Sequence, residues 1–475
     1  MRRRLVEVTT LLLLICSFSQ PAAAVPVRIG LTTLTGPWLI EGPARLTAAG
    51  TDFASLSIML EPGQQAVVFA GHREYVYLRT GSWAEAQVSW ATLRAAGIRA
   101  DIRQIGPWFD VVPLAQQAQL PLQSVLTDQL LTDSVGGLCL LADQQLTPIW
   151  WVEVEGEGGP VRINGRAYRG SVLLSRRHPG EISAINRIGL EEYLAGVVPE
   201  EMPASWPLEA LKAQTVAART YALRQLEKHA REGYDLCDTT HCQVYGGAAA
   251  EQPDSTLAVQ ATAGQVLVYD GELIDAVYHA HAGGHTVSSD YAWGSSVPYL
   301  QATPIPEEPV YLWSVCLSAE ELAGRLRQRH AVYCIFNLEP GKFGEGERLQ
   351  TVQLMALLGG GEIPVQDLRW AVGVEQMRSS KFTIDRLDET GRIMPDKDRR
   401  LPPCRQFYSG WDMYQPGGAL RPLLPQQPAF YLFRGTGYGH GVGLSQWGAY
   451  GLSELGYSYR EILQRFYKGT VLQYP

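Results

Sequence analysis

Past residue 24 the sequence has no apolar run approaching the ~20 consecutive residues that a membrane-spanning helix needs. It also lacks an excess of positive charge. Lys plus Arg number 40 against 48 Asp plus Glu, a formal net charge of −8. The basic field that a phosphate backbone requires is therefore missing, which excludes nucleic acid as a main partner. Cysteine is scarce, at seven in 475 residues, too few for a disulfide scaffold. There is no H-E-x-x-H run, which argues against a zinc hydrolase of that kind, and there is no internal repeat and no acidic or basic tail. What the chain does have is 48 Gly and 29 Pro, a composition of turns and short elements. Its 12 Trp and 22 Tyr argue against disorder. At about 100–200 residues per domain, the length allows two to four domains.

Residues 1–24 read as a secretory signal. Arg2, Arg3 and Arg4 precede the apolar stretch from Leu11 to Phe18, and Ala22-Ala23-Ala24 offers a small-residue cleavage site. The expectation is a mature chain that is secreted, periplasmic or associated with the cell wall, with no membrane span after cleavage. Residues 25–150 are strand-rich, with one helix-like stretch from Trp83 to Ala96, and this module resembles the small SPOR-type domains that bind glycan. A Gly-rich turn (Glu155-Gly-Glu-Gly-Gly-Pro160) leads into a hairpin pair over 161–189, with Asn164-Gly165 as its turn signal. From Ser205 to about Glu232 the spacing predicts a long helix whose inner stripe is Leu208, Leu211, Thr215, Ala218, Ala222 and Leu226. Residues 304–430 are Pro-rich, with a helix-like Ser318–Arg329 and a strand-like Val372–Arg386. A final helix is expected over Gly451–Tyr467.

Two carboxylates, Glu200 and Glu201, stand before Met202-Pro203. A carboxyl group held among Val198, Met202 and Trp206 is poorly hydrated, which suits it to general acid work. The alternative is a pair of exposed glutamates that stabilise the dipole of the following helix. Further on, Cys237-x-x-x-His241-Cys242 places three metal-type donors within a short loop. With His229 upstream as a fourth ligand, two thiolates and two imidazoles make a closed, structural tetrahedral zinc site. The rival reading is a Cys237–Cys242 disulfide. His279, His281 and His285 read as sugar contacts or packing rather than a second metal. A bridge between two of Cys316, Cys334 and Cys404 is left open. Gly435-x-Gly-x-Gly-His-Gly-Val-Gly443 lacks the strand–helix context and the Lys-Ser/Thr of phosphate loops. Its glycines instead allow close backbone approach to a ligand or tight core turns.

Taken together, Tyr193–Tyr221, Asp235–Tyr245, Ala276–His285, Trp293–Leu300 and Gly435–Ala449 resemble, in order, the signature segments of the SpoIID/LytB family of sporulation proteins and amidase enhancers. The resemblance implies an α+β fold, in which a catalytic domain over 151–475 has a long central helix packed on β-structure and follows the smaller strand-rich module. Residues 304–430 are an insertion or elaboration within that domain. It implies a lytic transglycosylase that cuts peptidoglycan glycan strands, with Glu201 as its single general acid and base. Lys212, Gln214, Arg219, Tyr221, His440, Ser445 and Gln446 are implied to contact substrate, with the glycine-rich segment closing the cleft opposite Glu201. The family also supports zinc at the Cys/His loop. Its amidase-enhancer branch raises a second reading, a wall-bound activator of an amidase with no chemistry of its own.

Overall fold

A computed structural model describes residues 25–32, 38–50, 55–70, short stretches between 78 and 113, 138–142, 145–178, 181–357, 359–394 and 428–474. The expected signal segment and Cys404 lie outside these residues, as does most of the helix-like stretch at 83–96. Helices and several sheets coexist, and the chain is α+β. No helix among the described residues is long and apolar enough to cross a membrane. The chain divides into two compact units. One comprises residues up to 205 together with 222–264, and the other 206–221 together with 265–475.

The first unit is organised on a twelve-stranded sheet. Its strands alternate buried and exposed residues, as in Val161–Ile163, so that one face supplies the core. The strand Gln145–Gly156 runs straight through the boundary expected at 150/151. It pairs with Ala44–Gly50 on one side and with Ser171–His178 on the other. The first described strand, Pro26–Gly30, lies between Glu181–Gly189 and Leu236–Cys237. The strand-rich N-terminal stretch is thus part of the same sheet as the 161–189 hairpins, because a strand left at an edge exposes unpaired backbone groups. Asn164 (φ 50°) and Gly165 (φ 74°) form the expected turn between Val161–Ile163 and Arg166–Tyr168. The strands Leu78–Thr80, Trp108–Pro113 and Ala100–Ile105 form a separate small sheet.

The long helix differs from its expected form. It spans Leu208–Arg224 rather than reaching Glu232. Glu227, at φ 66°, turns the chain out of helical geometry, and Ala230–Glu232 is only a 3-10 turn. His229 therefore stands at the start of that turn, outside the helix. The burial is not a stripe either, since every residue from Ala213 to Thr220 is buried. This is a central helix covered all round. Its threonines fold inward to stay satisfied, with the Thr215 Oγ1 and Thr220 Oγ1 hydroxyls donating at 2.7 Å to the carbonyls of Leu211 and Val216.

In the second unit, residues 312–387 and 430–436 build a hydrophobic core of their own. The sheets Leu312–Ser318/Phe430–Thr436/Phe382–Leu387 and Ile335–Pro340/Thr351–Ala356/Gly361–Pro364 enclose it with the helices Ala319–His330 and Val365–Val372. The expected helix at 318–329 is present and is capped by the Ser318 hydroxyl. Val372 ends a helix rather than opening a strand, and the strand begins only at Phe382. The final helix is two, Gln446–Glu454 and Tyr459–Phe466. Gly456 (φ 88°) breaks the first, and a Ser458/Glu461 capping box starts the second.

The first unit's edge is tied by one ion pair. Arg28 clasps Asp235 through Nε at 3.1 Å and Nη2 at 2.6 Å, and its backbone N–H adds a third bond at 2.8 Å. Burial works against the Asp235 carboxylate, but the Arg28 bonds and charge outweigh it and hold the group below its ordinary value. Such a group stabilises the fold above its unfolded pKa, and that contribution is lost as pH falls through the lower folded value. Asp235→Asn should cost about 2 kcal/mol at neutral pH. It should also flatten the acid side of the stability profile from the ordinary aspartate pKa of about 4 downward. Urea melts across that range would show both effects, and an unchanged acid slope would rule out this pair as its source.

Candidate functional site

Glu201 is the last residue of the helix Leu190–Glu201, with Met202 as its C-cap. Tyr193, Leu194, Val197 and Val198 bury the helix's inner face. The dipole alternative does not hold here, since both glutamates end a helix, and a helix C-terminus carries the partial charge that disfavours a carboxylate. Glu201 is half-buried, and its Oε1 accepts the backbone N–H of Val244 at 2.8 Å. Glu200 is exposed and packs over Gly246, where an added Cβ would lie 2.6 Å from its Oε1.

The segment that holds Glu201 follows directly on the Cys/His loop. Gln243 to Gly246 runs along the helix with several fastenings. Gly246 N donates to Gly196 O at 3.1 Å, and Tyr193 Oη donates to Gln243 Oε1 at 3.3 Å. Tyr245 Oη donates to Asn186 Oδ1 at 2.8 Å, and the Tyr245 ring lies 5.1 Å from that of Tyr193. Burial pushes the Tyr245 phenol far up, so it remains a neutral donor.

The structure brings His229, Cys237, His241 and Cys242 together. One ligand atom from each lies within 4.8 Å of the others. Cys242 Sγ is 3.4 Å from His229 Nε2 and 3.6 Å from His241 Nδ1, and Cys237 Sγ is 3.6 Å from His241 Nδ1. A tetrahedral zinc at about 2.3 Å from sulfur and about 2.0 Å from nitrogen sets such pairs roughly 3.5 Å apart. Both thiols are free and buried. His229 turns its other nitrogen, Nδ1, onto the Glu232 carboxylate, the outer contact that orients a ligating imidazole. The Lys228 charge, with burial, holds His241 below its ordinary value and so in its neutral, ligating form. The donor set fits zinc. Glu232 was not singled out from sequence, although its place one turn after His229 is the available signal.

The other residues expected to touch substrate sit in the second unit. Lys212 pairs with Glu209 at 2.7 Å and lies over the Tyr459 ring. Tyr221 is half-buried, edge-on to Tyr278. Gln214, Arg219 and Ser445 have no exposed surface. Arg219 Nη1 donates to Gln265 O at 3.2 Å, and Gln446 Nε2 meets Gln214 Oε1 at 3.5 Å. Ser445 caps the helix Gln446–Glu454 and donates to the buried Glu308 carboxylate. These four side chains build scaffold rather than presenting a surface. The reason is that their segments run through the core of the unit, which the spacing of motif residues does not disclose.

His440 is also taken up by backbone. Its Nε2 donates to Tyr278 O at 3.0 Å, and its Nδ1 accepts from Val442 N at 3.1 Å. Burial, with the charges of Arg348 and Arg369, pushes it down to about 4, so the ring is neutral. Of the upstream histidines, His279 and His281 are buried and bonded to the carbonyls of Val442 and Pro309, and His285 turns to Thr286 O. Packing is the reading that these contacts favour. Cys316 is an exposed free thiol. The glycine segment is explained by close approach. A Cβ at Gly441 would lie 2.8 Å from the Arg348 guanidinium, and one at Gly443 only 2.1 Å from Val277 O. Among the described residues, the Cys/His group is the one cluster of metal-type donors of its kind.

Comparison with known proteins identifies relatives of this chain. The stage II sporulation protein (SpoIID) family model matches residues 178–269, which include Glu201 and all four Cys/His residues. An uncharacterised protein of Brachyspira hyodysenteriae is 30% identical over 312 residues, 65% of this chain and 73% of its own length. The amidase enhancer of Bacillus subtilis is 32% identical over 305 residues, but this match spans only 40% of the enhancer. Stage II sporulation protein D of Bacillus amyloliquefaciens is 28% identical over 309 residues and is covered to 75%. The chain belongs to the SpoIID/LytB family.

Proposed function

We propose that this protein acts outside the cytoplasm as a peptidoglycan lytic transglycosylase, with Glu201 as its only general acid and base. The observation that carries this reading is the placement of Glu201 at the end of an apolar helix, with one carboxyl oxygen fixed by the Val244 amide. Glu201 protonates the glycosidic oxygen between MurNAc and GlcNAc, and the C1–O bond breaks. The C6 hydroxyl of the same MurNAc then attacks C1 and returns its proton to Glu201, which closes a 1,6-anhydro ring without consuming water. Because the nucleophile belongs to the sugar, the second carboxylate of ordinary glycosidases is not required. The outward packing of Glu200 on Gly246 agrees with a single acid. Among the other implied substrate residues, Lys212 and Tyr221 keep part of their side chains at the surface and are proposed to contact the strand. Gln214, Arg219, Ser445 and Gln446 act from within the core.

His229, Cys237, His241 and Cys242 are proposed to hold a structural zinc. When bound, the ion closes the loop and supplies no catalytic chemistry. Its effect on Glu201 runs through the chain. Cys242 is followed at once by Gln243 and Val244, so a fixed loop fixes the amide that holds the acid.

Glu201→Gln should reduce release of 1,6-anhydro ends from denuded glycan strands by about 10²–10⁴-fold, read by mass spectrometry of the products. If wild-type protein releases no such ends, the enzyme reading fails. In that case the amidase-enhancer relative makes stimulation of a purified amidase the reading to follow.

The metal can be tested separately by elemental analysis. Purified protein should carry about one zinc per chain, and Cys242→Ser or His229→Ala should abolish it. Both changes should lower the melting temperature, and activity should fall with them. A metal-free protein whose mass shows an oxidised Cys237–Cys242 pair would overturn this assignment in favour of the disulfide.

A further inference from the structure

Several aromatic side chains of the second unit face water, and one of them, Trp293, rests on a second ring. Trp293 ends the short helix Ser289–Trp293 and is 50% exposed. Gly294, at φ 78°, turns the chain away directly behind it, and the exposed Ser295 and Ser296 follow. The indole is not loose. Its centroid is 5.4 Å from the ring of His440, which in turn lies 5.3 Å from the buried ring of His279. Both nitrogens of His440 are held by backbone groups, so it is a fixed, uncharged support. The result is an exposed ring backed by two rings that are hydrogen-bonded to the backbone.

Residues 344–349, in the stretch that sequence reading left without a role, hold this arrangement in place. Glu345 Oε2 accepts from both Ser288 N (2.6 Å) and Ser288 Oγ (2.8 Å), and Ser288 is the N-cap of the Trp293 helix. Tyr291 Oη donates to Leu349 O at 3.2 Å, and the Tyr291 ring lies so close to Gly344 that no Cβ could stand there. Between these contacts, Arg348 is buried, and its guanidinium donates to Ala282 O at 2.8 Å and Gly439 O at 3.4 Å. Gly439 is the residue before His440. One loop thus fixes both the helix that carries the indole and the backbone beneath its support.

We propose that Trp293 is a saccharide-stacking residue, whose exposed face packs on the C–H face of one pyranose ring of a glycan strand, and that residues 344–349 position it. This rests on the glycan-strand reading above. A pyranose ring has an apolar C–H face and a rim of hydroxyls. An indole with a neutral backing matches the apolar face, the exposed Ser295 and Ser296 that follow it in the chain supply hydroxyls of the kind that suit the rim, and the ring offers no charge to an ionic ligand.

The test uses the full chain carrying Glu201→Gln, so that strands are bound and not consumed, with denuded glycan strands as the probe. Adding Trp293→Ala should weaken binding about tenfold, while Trp293→Phe, which keeps an aromatic face, should stay within about threefold. Glu345→Gln touches no ligand and should weaken binding by an intermediate factor. Strands should also shield Trp293 from acrylamide, so the quenching difference between the parent and Trp293→Phe should shrink when strands are added. Unchanged binding by Trp293→Ala, equal losses in the Phe and Ala variants, or a quenching difference that strands do not alter would each overturn the proposal. The quenching arm and the Phe variant decide the matter if Trp293→Ala fails to fold. The two readings fail differently. Strand binding that depends on Trp293 without any anhydro products leaves the platform standing and removes the lyase. Anhydro products with an unchanged KM in Trp293→Ala do the reverse.

Discussion

The 2.8 Å bond from Val244 N to Glu201 Oε1 is the constraint on which the first unit's candidate chemistry depends. A carboxyl at the end of a helix has freedom to swing unless something fixes it, and here the fixing group is a backbone amide with no rotamers of its own. That amide is fixed in turn. Tyr245 is buried and bonded to Asn186, and Asn186 also donates to the carbonyls of Arg169 and of Ser171, the first residue of the neighbouring strand. On the other side the chain runs straight into Cys242 and the four-residue donor cluster. The acid is thus connected to the central sheet through one residue and to the Cys/His loop through the preceding ones. Through this arrangement the position of the Cys/His loop bears on the Glu201 carboxyl with no atom in common.

The second unit solves a different problem, that of burying charge beside a glycine-rich backbone. Arg348 sits in the core with burial pushing its pKa down to about 10, still far above neutral, so it remains a cation. Its guanidinium reaches carbonyls that the glycine segment leaves within range, and Gly441 provides the room. Nearby, the buried Glu308 accepts from the backbone of Ala282 and Gly284 and from Ser445. Serine, histidine and carboxylate meet here, yet they do not form a nucleophile. The carboxylate stands between Ser445 and His281, so the imidazole does not face the hydroxyl as it does in a catalytic triad. The network holds turns in register, and the glycines are there to let it do so.

Several features were legible in residue order. The Asn164-Gly165 turn follows from local φ preferences, and the Ser318 cap from the chemistry of a helix start. The Cys/His spacing marked four donors, and the structure brings those four together. The length of the long helix was not legible, because its end depends on one left-handed residue, Glu227, within an otherwise helix-favouring run. The burial of Gln214, Arg219 and Ser445, expected to contact substrate, was not legible for a related reason. Motif membership does not say which side of a segment meets solvent, and these segments have no solvent side.

By itself the sequence determined the α+β character, the donor set and the family, because each rests on residue types and spacing within segments that keep their order along the chain. Only the tertiary structure decided which groups those residues serve. Strands on either side of residue 150 close into one sheet, since edge hydrogen bonds must be met by whatever strand lies adjacent, however distant in the chain. Val244 finds Glu201, and residues 344–349 find the helix of Trp293, for the same reason. A hydrogen bond is set by distance in space, and burial forces each polar group to find a partner there.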